Sequence, residues 1–314
     1  MAGDANYESV SLLLHGDGAN GSTTFVDSGP RPKTPVVYGN TQISTAWSVF
    51  GGASMRFDGN GDLLSYPDHA DLRFGGGDFS IECRLRLLGY PTSSGGEYGS
   101  AILAKDVGGA REWNLFLSGT ASSFTTLIFQ GYSSNTASVV VSIPFAAALN
   151  TDYAIAVARR GNLLYVLVNG VLLNPGGTAF AVTMRETATP MKVGALYFDG
   201  GATYNYYLNG FIDELRITKG VARHTANYAL DTVAFANQAG QISGVVRDDT
   251  DAPAVRLVRG YYRDTGALAA ESSSSVGSGA YTLNCKRLAE CSVLFLDDAA
   301  GTVYNDKVLR VMPG

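Results

Sequence analysis

Residues 78–87 read Asp-Phe-Ser-Ile-Glu-Cys-Arg-Leu-Arg-Leu. In an extended chain Phe79, Ile81, Cys83, Leu85 and Leu87 fall on one side, and Ser80, Glu82, Arg84 and Arg86 on the other, because strand side chains alternate. The stretch predicts a strand with one apolar and one wet face. Tyr153, Ile155 and Val157 repeat the pattern, with small alanines opposite. Residues 163–168 (LLYVLV) are apolar on both faces, which predicts a central strand. They end in Asn169 and Gly170, a dipeptide suited to hairpin turns that need positive φ at both central residues. Further strands are expected at 9–14, 101–105, 112–118, 124–130, 137–143, 191–197 and 208–217. No segment sustains a 3.6-residue period. The chain therefore reads as all-β, a sandwich of two antiparallel sheets.

Composition agrees. Thirty-eight glycines and an aromatic share of 11% suit many short strands with tight turns, and 16% charged residues is low for a helical protein. A net charge of −5 with no basic block argues against partners that present phosphate, whether nucleic acid or an anionic membrane surface. No apolar run is long enough for a membrane helix. The N-terminal residues MAGDANYESVSLLLHGDG lack a basic start and a full-length apolar core, so no standard secretion signal is expected. Cys83, Cys285 and Cys291 are too few for a disulfide framework. Cys83 reads as a core residue. Cys285 and Cys291 flank a short loop across which they could meet, or they stay reduced if made in a cytoplasm.

Near 231–241 the pattern weakens, and a second, tighter strand series follows at 242–247, 254–263, 267–274, 280–285, 291–297 and 302–310. Turns rich in Asp separate these strands. We therefore expect two domains, residues 1–236 and 237–314, the second a small independent β-sandwich.

The stretch Asp58-Gly59-Asn60-Gly61-Asp62 has the opening spacing of an EF-hand calcium loop. The sixth and twelfth loop positions, however, hold Leu63 and His69 instead of Gly and Glu, and the flanks read as strands. A tight hairpin turn is the expectation, with a non-helical metal site left open.

Several phrases resemble laminin-G-like, concanavalin-A-like jelly rolls. These are Val49-Phe50-Gly51-Gly52-Ala53-Ser54-Met55-Arg56-Phe57-Asp58-Gly59, Gly77-Asp78-Phe79-Ser80-Ile81-Glu82, Val168-Asn169-Gly170-Val171 and the closing Asn209-Gly210-Phe211-Ile212-Asp213-Glu214-Leu215-Arg216-Ile217-Thr218. The opening Val10-Ser11-Leu12-Leu13-Leu14-His15-Gly16-Asp17-Gly18-Ala19-Asn20-Gly21-Ser22 and the continuation Lys219-Gly220-Val221-Ala222-Arg223-His224-Thr225 resemble the version found in tailed-bacteriophage structural proteins. This resemblance covers roughly residues 9–236. One departure is that Asp152-Tyr153 stands where family members often carry Trp-His. Residues 253–266 and 296–298 resemble the small Ig-like or carboxypeptidase-regulatory-like sandwiches appended to tail proteins, a more generic match.

No catalytic motif accompanies the fold. The Glu-x-Asp-x-x-Glu strand of related glycosidases, the Gly-x-Ser-x-Gly elbow and the His-Glu-x-x-His helix are all missing from the sequence. His15, His69 and His224 are scattered without zinc spacing. Asp213 sits among Phe211, Leu215 and Ile217, where a carboxylate is costly unless hydrogen-bonded or metal-bound. The resemblance implies calcium there, with Asp58 and Asp62 as helpers, while capping of loop amides is the plain alternative. Asp199 lies where related pentraxins bind sugar through calcium, but their cluster of acids and amides is not present. Sugar rings stack on aromatic faces while amides and acids take hydroxyls. Tyr204, Asn205, Tyr206 and Tyr207 offer that chemistry, with Trp113 and the loop tyrosines Tyr90, Tyr98 and Tyr132 as contributors.

The expectation is a non-enzymatic phage virion protein, made in the host cytoplasm and carried on the tail. It would bind host surface polysaccharide as a fibre or tail-tip component, form a homo-oligomer and contact other virion proteins. The alternative is a structural virion component without glycan affinity, and a depolymerase is the third reading.

Overall fold

Antiparallel pairing organises the chain. The computed structural model describes residues 4–94, 97–197, 204–237, 240–248, 250–263, 265–285, 290–296 and 307–311. They fall into two units, Ser9–Phe235 and Ala236–Gly314, the latter together with Met1–Glu8.

The larger unit holds, in chain order, β1 Val10–Leu14, β2 Val36–Tyr38, β3 Gln42–Ser44, β4 Ser54–Asp58, β5 Leu63–Tyr66, β6 Phe79–Leu87, β7 Thr92–Ser94, β8 Glu97–Lys105, β9 Trp113–Thr120 and β10 Ser123–Tyr132. It continues with β11 Ser138–Pro144, β12 Asp152–Arg160, β13 Leu163–Val168, β14 Val171–Leu172, β15 Thr178–Ala179, β16 Met191–Val193, β17 Leu196–Tyr197, β18 Tyr204–Asn205 and β19 Asn209–Lys219. One sheet runs β14-β13-β12-β6-β19-β4-β3, and the facing sheet runs β11-β10-β9-β8-β16-β5-β2. Between them lies a single core that includes Leu12, Met55, Phe57, Ile81, Leu85, Trp113, Leu115, Phe129, Val157 and Ile217. This is an all-β, concanavalin-A-like jelly roll. The central β19 is flanked on one side by β6 along its length; its other side is shared by β4, over residues 209–212, and β1, over 215–218.

The strand at 78–87 behaves as its alternation predicts on the core side, where Phe79, Ile81, Cys83, Leu85 and Leu87 are buried. Its polar side differs: Ser80, Glu82 and Arg84 are buried too. Residues 219–235 run back across this face, with Ser80 Oγ donating to Val221 O at 2.8 Å and Arg84 Nη2 to Asp231 O at 3.2 Å. The same segment explains 163–168. That strand is not central but next to the short edge strand β14, and its second apolar face packs with Tyr228 and Leu172.

Two turn expectations separate here. Asn169 (φ 50) and Gly170 (φ 77) form the expected hairpin, pairing Val168 with Val171. The 58–62 turn is tight, with Gly59 and Gly61 at positive φ, but it is no hairpin: β4 belongs to one sheet and β5 to the other. It is a corner of the sandwich, so strands adjacent in sequence are not paired.

The smaller unit contains β20 Gly240–Val245, β21 Leu257–Tyr262, β22 Leu268–Ser273, β23 Ala280–Cys285, β24 Cys291–Leu296 and β25 Lys307–Val311. β20 pairs with β23, and the other four pair in the order β22-β21-β24-β25. Both sheets contribute to one core of Ile242, Val258, Tyr281, Leu283, Cys285, Cys291 and Val293. Among the described residues no helix is long and apolar enough to cross a membrane.

Candidate functional site

A polar cleft of about 490 Å³ opens at the β3–β4 edge of the first sheet, lined by Thr23, Asn40, Gln42, Arg56, Asp58 and Asp62. Local sequence builds it. Gly39 takes φ 65, and a Cβ there would lie 2.4 Å from Asp62 Oδ1, so only glycine lets the 38–41 turn close onto the 58–62 corner. Asp62 is buried and holds both turns: Oδ1 accepts from Asn40 N at 2.5 Å and Oδ2 from Asp58 N at 2.8 Å. Burial pushes the Asp62 carboxyl up, against those two amides, which favour the anion. Asp58 stands further out, accepting from Asn60 N at 2.8 Å and Asn40 Nδ2 at 3.3 Å.

Arg56 forms the floor. Its guanidinium donates to Gly210 O and Asn209 Oδ1, each at 3.3 Å, and lies 5.2 Å from the Phe211 ring centre. Burial lowers its pKa, and Asp58 and Asp62 oppose that shift. Cross-strand pairing sets Gln42, Arg56, Phe211, Arg86 and Asp152 in one row over the outer face of the sheet. Trp47 braces the row, its ring 5.8 Å from Phe211 and its Nε1 donating to Asp152 Oδ1 at 3.0 Å. The cleft thus presents carboxylate, amide, hydroxyl and guanidinium groups on a rigid base. Vicinal hydroxyls, each both donor and acceptor, match such a set.

The residues named for calcium are not brought together. Asp213 lies four residues along β19 from Asn209, the partner of Asp58. Its Oδ2 accepts from Val49 N (2.7 Å) and Phe50 N (3.2 Å), and its Oδ1 from Glu214 N (3.0 Å), so it caps loop amides. Nor does it share a face with Leu215 and Ile217. A bulge at 213–216, with Glu214 at φ 49, switches the strand's parity; Leu215 and Ile217 point into the core, whereas Asp213 follows Phe211 on the other face. Calcium takes six to eight oxygens, and no cluster of three His, Cys, Asp or Glu side chains suited to a metal occurs among the described residues. Among the described residues, neither aspartate group has the further acidic side chain that would complete such a cluster.

The aromatic candidates also move. Trp113 is fully buried, stacked 5.0 Å from Phe74. Tyr206 is 2% exposed and stacks on Phe116 at 5.8 Å, so neither ring is open to a sugar. Tyr207 is half-buried, which raises its pKa. Tyr204 and Asn205 belong to the β17–β18 ribbon; their side chains, and Asp199, lie outside the described residues. Of the other tyrosines Tyr90 is exposed and Tyr132 buried.

Sequence reading missed Thr23, Asn40, Gln42 and Arg56. Strands β3 and β4, two turns and the loop at Thr23 bring them together, and only the Gly39–Asn40 pair gives a local signal. It also missed two buried ion clusters. Glu82 accepts from Arg216 Nε and Nη2, both at 2.9 Å, and contacts His224 Nε2 at 3.0 Å. Although burial opposes it, these partners hold the Glu82 carboxyl well below the usual range. Lys105 Nζ meets Glu112 Oε1 at 2.7 Å and Asp68 Oδ1 at 2.9 Å. His224, stacked 3.6 Å from Tyr228, is thus a packing residue.

Comparison with known proteins agrees with this architecture. No curated protein sequence matches the chain. Among solved structures, the binding domain of Paraclostridial Mosquitocidal Protein 1 superposes with a TM-score of 0.51 at 11% identity, over 96% of this chain and 76% of that one. Domain 4 of AbnA, an extracellular arabinanase of Geobacillus stearothermophilus solved with arabinotriose, gives 0.46 at 17% identity, over 71% and 95%. A structure of botulinum neurotoxin type C, whose cell entry depends on two ganglioside molecules, gives 0.48 at 9%, over 93% and 72%. At 11% identity the first of these shows a likeness of fold alone. The family model Laminin_G_3, described as the concanavalin A-like lectin/glucanases superfamily, matches residues 58–225, which is 168 of the 314 residues. With more than half its length matched and the jelly roll in place, the chain belongs to the concanavalin A-like lectin/glucanase superfamily.

Proposed function

We propose that this chain is a non-enzymatic receptor-binding component of a phage virion, a tail fibre or tail-tip protein whose jelly roll binds a hydroxyl-rich glycan on the host surface. The open polar cleft at Thr23, Asn40, Gln42, Arg56 and Asp58 carries this reading. The family spans lectins and glucanases, and the cleft favours the former. Glycoside hydrolysis needs two carboxyl groups flanking the scissile bond. Here Asp62 is 1% exposed and spends both oxygens on backbone amides, which leaves Asp58 alone facing solvent. The phage assignment is supported by the opening 10–22 and the continuation 219–225, and the smaller unit would be an Ig-like or carboxypeptidase-regulatory-like connector or second adhesin. Weak single-site binding would be amplified by several copies on one particle.

The test is binding of labelled protein to a panel of bacterial cells and their extracted polysaccharides, with and without EDTA. Saturable binding to one polysaccharide, retained in EDTA and reduced at least about tenfold by Gln42→Ala with Thr23→Ala, is the expected result, equivalent to roughly 1.4 kcal/mol. Absence of binding to every sample would move the chain to a structural role in the virion. Binding that survives the double substitution would place the glycan elsewhere.

A further inference from the structure

The core of the smaller unit contains two cysteines. Cys285 ends β23, paired with Gly240, and Cys291 begins β24, paired with Tyr262 and Val311. The two strands belong to different sheets, yet both side chains are buried in the same apolar cluster, at 1% and 0% exposure. Cys291 stands close enough to Cys285 to help hold its thiol protonated, and neither residue is in a disulfide. A thiol is a weak donor and a weak acceptor, and neither sheet's ladder requires cysteine at these positions. Cys83, in the other core, is buried beside apolar strand neighbours such as Ile81 and Leu85.

We infer that Cys285 and Cys291 are a thiol–disulfide site, which an external small-molecule disulfide of the oxidised-glutathione class converts to an intramolecular bond joining the two sheets. The exchange balances. One cysteine thiolate attacks a sulfur of the oxidant and expels the first small thiolate. The second cysteine thiolate then attacks the protein sulfur of the mixed disulfide and expels the other small thiolate. The two cysteine protons end on the two released thiols, and the oxidant takes up the electron pair. Burial pushes Cys285 up to about 12, so the thiolate is scarce in the closed unit. The exchange therefore proceeds when the unit opens or as it folds, and once formed the bond is shielded from reductant.

The experiment uses the full chain. It is refolded from urea in a glutathione redox buffer, and in parallel the native protein is incubated with oxidised glutathione; both samples are alkylated under denaturing conditions, digested with trypsin and analysed by mass spectrometry. Trypsin cuts at Lys286 and Arg287, so the bond appears as two linked peptides. The expected result is a Cys285–Cys291 link, with the intact chain lighter by about 2 Da for the two hydrogens lost and only Cys83 alkylated. Three alkylated cysteines in both samples, a glutathione adduct on either residue as the end product, or a link to Cys83 would each overturn the inference. Cys285→Ser must abolish the link and leave Cys291 alkylatable or glutathionylated. Because the primary reading is made on the unaltered chain, poor folding of that variant does not decide the matter.

Discussion

Glu214 serves two distant parts of the jelly roll from one carboxylate. Oε1 takes His15 Nδ1 at 2.7 Å, and Oε2 takes the Phe235 amide at 2.7 Å, with the side chain 1% exposed. Glu214→Ala would leave a buried amide and an imidazole without a partner, at a cost of about 3 kcal/mol in urea denaturation. Next to it, Asp213 is raised to about 7 by burial, and His15 is raised chiefly by its bond to Glu214. Both groups keep in the fold protons that the unfolded chain has released. The stability they add is complete below their unfolded pKa values and is lost as pH rises through their folded ones. Glu82 is lowered, so its contribution is present above the ordinary carboxylate range and disappears as pH falls. Melting temperature should therefore fall between about pH 5 and pH 8, and Asp213→Asn should flatten that slope. A slope unchanged by the substitution would remove Asp213 as its source. From the sequence, amide capping by Asp213 was legible as the alternative to calcium, but not its partners or its face of the strand. Period-two reading put Asp213 on the core side because a bulge leaves no mark in residue polarity, and the partner amides at Val49, Phe50 and Phe235 are far away in sequence.

The returning segment 219–235 decides how the outer face of the first sheet is finished. It converts the wet side of β6 into a buried one, through Arg216, Arg223 and His224 around Glu82 and through Arg216 over Phe235 at 3.8 Å. Removing Glu82 strands cationic groups under that cover. Glu82→Ala should cost about 3–5 kcal/mol and open 219–235 to limited proteolysis, whereas His224→Ala, at a 21% exposed side chain, should cost about 1 kcal/mol. Equal losses would show that the ion cluster does not hold the segment. At this scale the sequence was most informative about strands themselves, since alternation and Asn-Gly turns are local. It was least informative about which strands are neighbours: the 58–62 turn has hairpin chemistry but links opposite sheets, and the apolar 163–168 strand owes its second buried face to a segment more than fifty residues later.

Across the whole jelly roll, charge is unevenly placed. Residues 113–151 contain no Asp, Glu, Lys or Arg, although the chain carries a net −5. They form β9, β10 and β11, the last an edge strand with Val140 49% exposed. Free edges normally carry charge or other guards against pairing, so the proposed oligomer should form here, strand β11 against its copy. Val140→Lys with Ser142→Lys should convert it to monomer in sedimentation velocity without lowering the melting temperature by more than a few degrees; an unchanged oligomer would place the contact elsewhere. The fold class could be read from the sequence because it depends on periodicity and family phrases, and the cleft could not, because its six side chains come from four separate stretches. One consequence of the β1–β19 pairing concerns inheritance more than stability. Val10 lies opposite Thr218, and His15 and Phe235 meet at one carboxylate, so the strands that open and close the unit run side by side. A body with that geometry can be spliced into a surface loop of another chain, or circularly permuted through a short linker, without breaking a strand. The jelly roll is thus built as a transferable cassette.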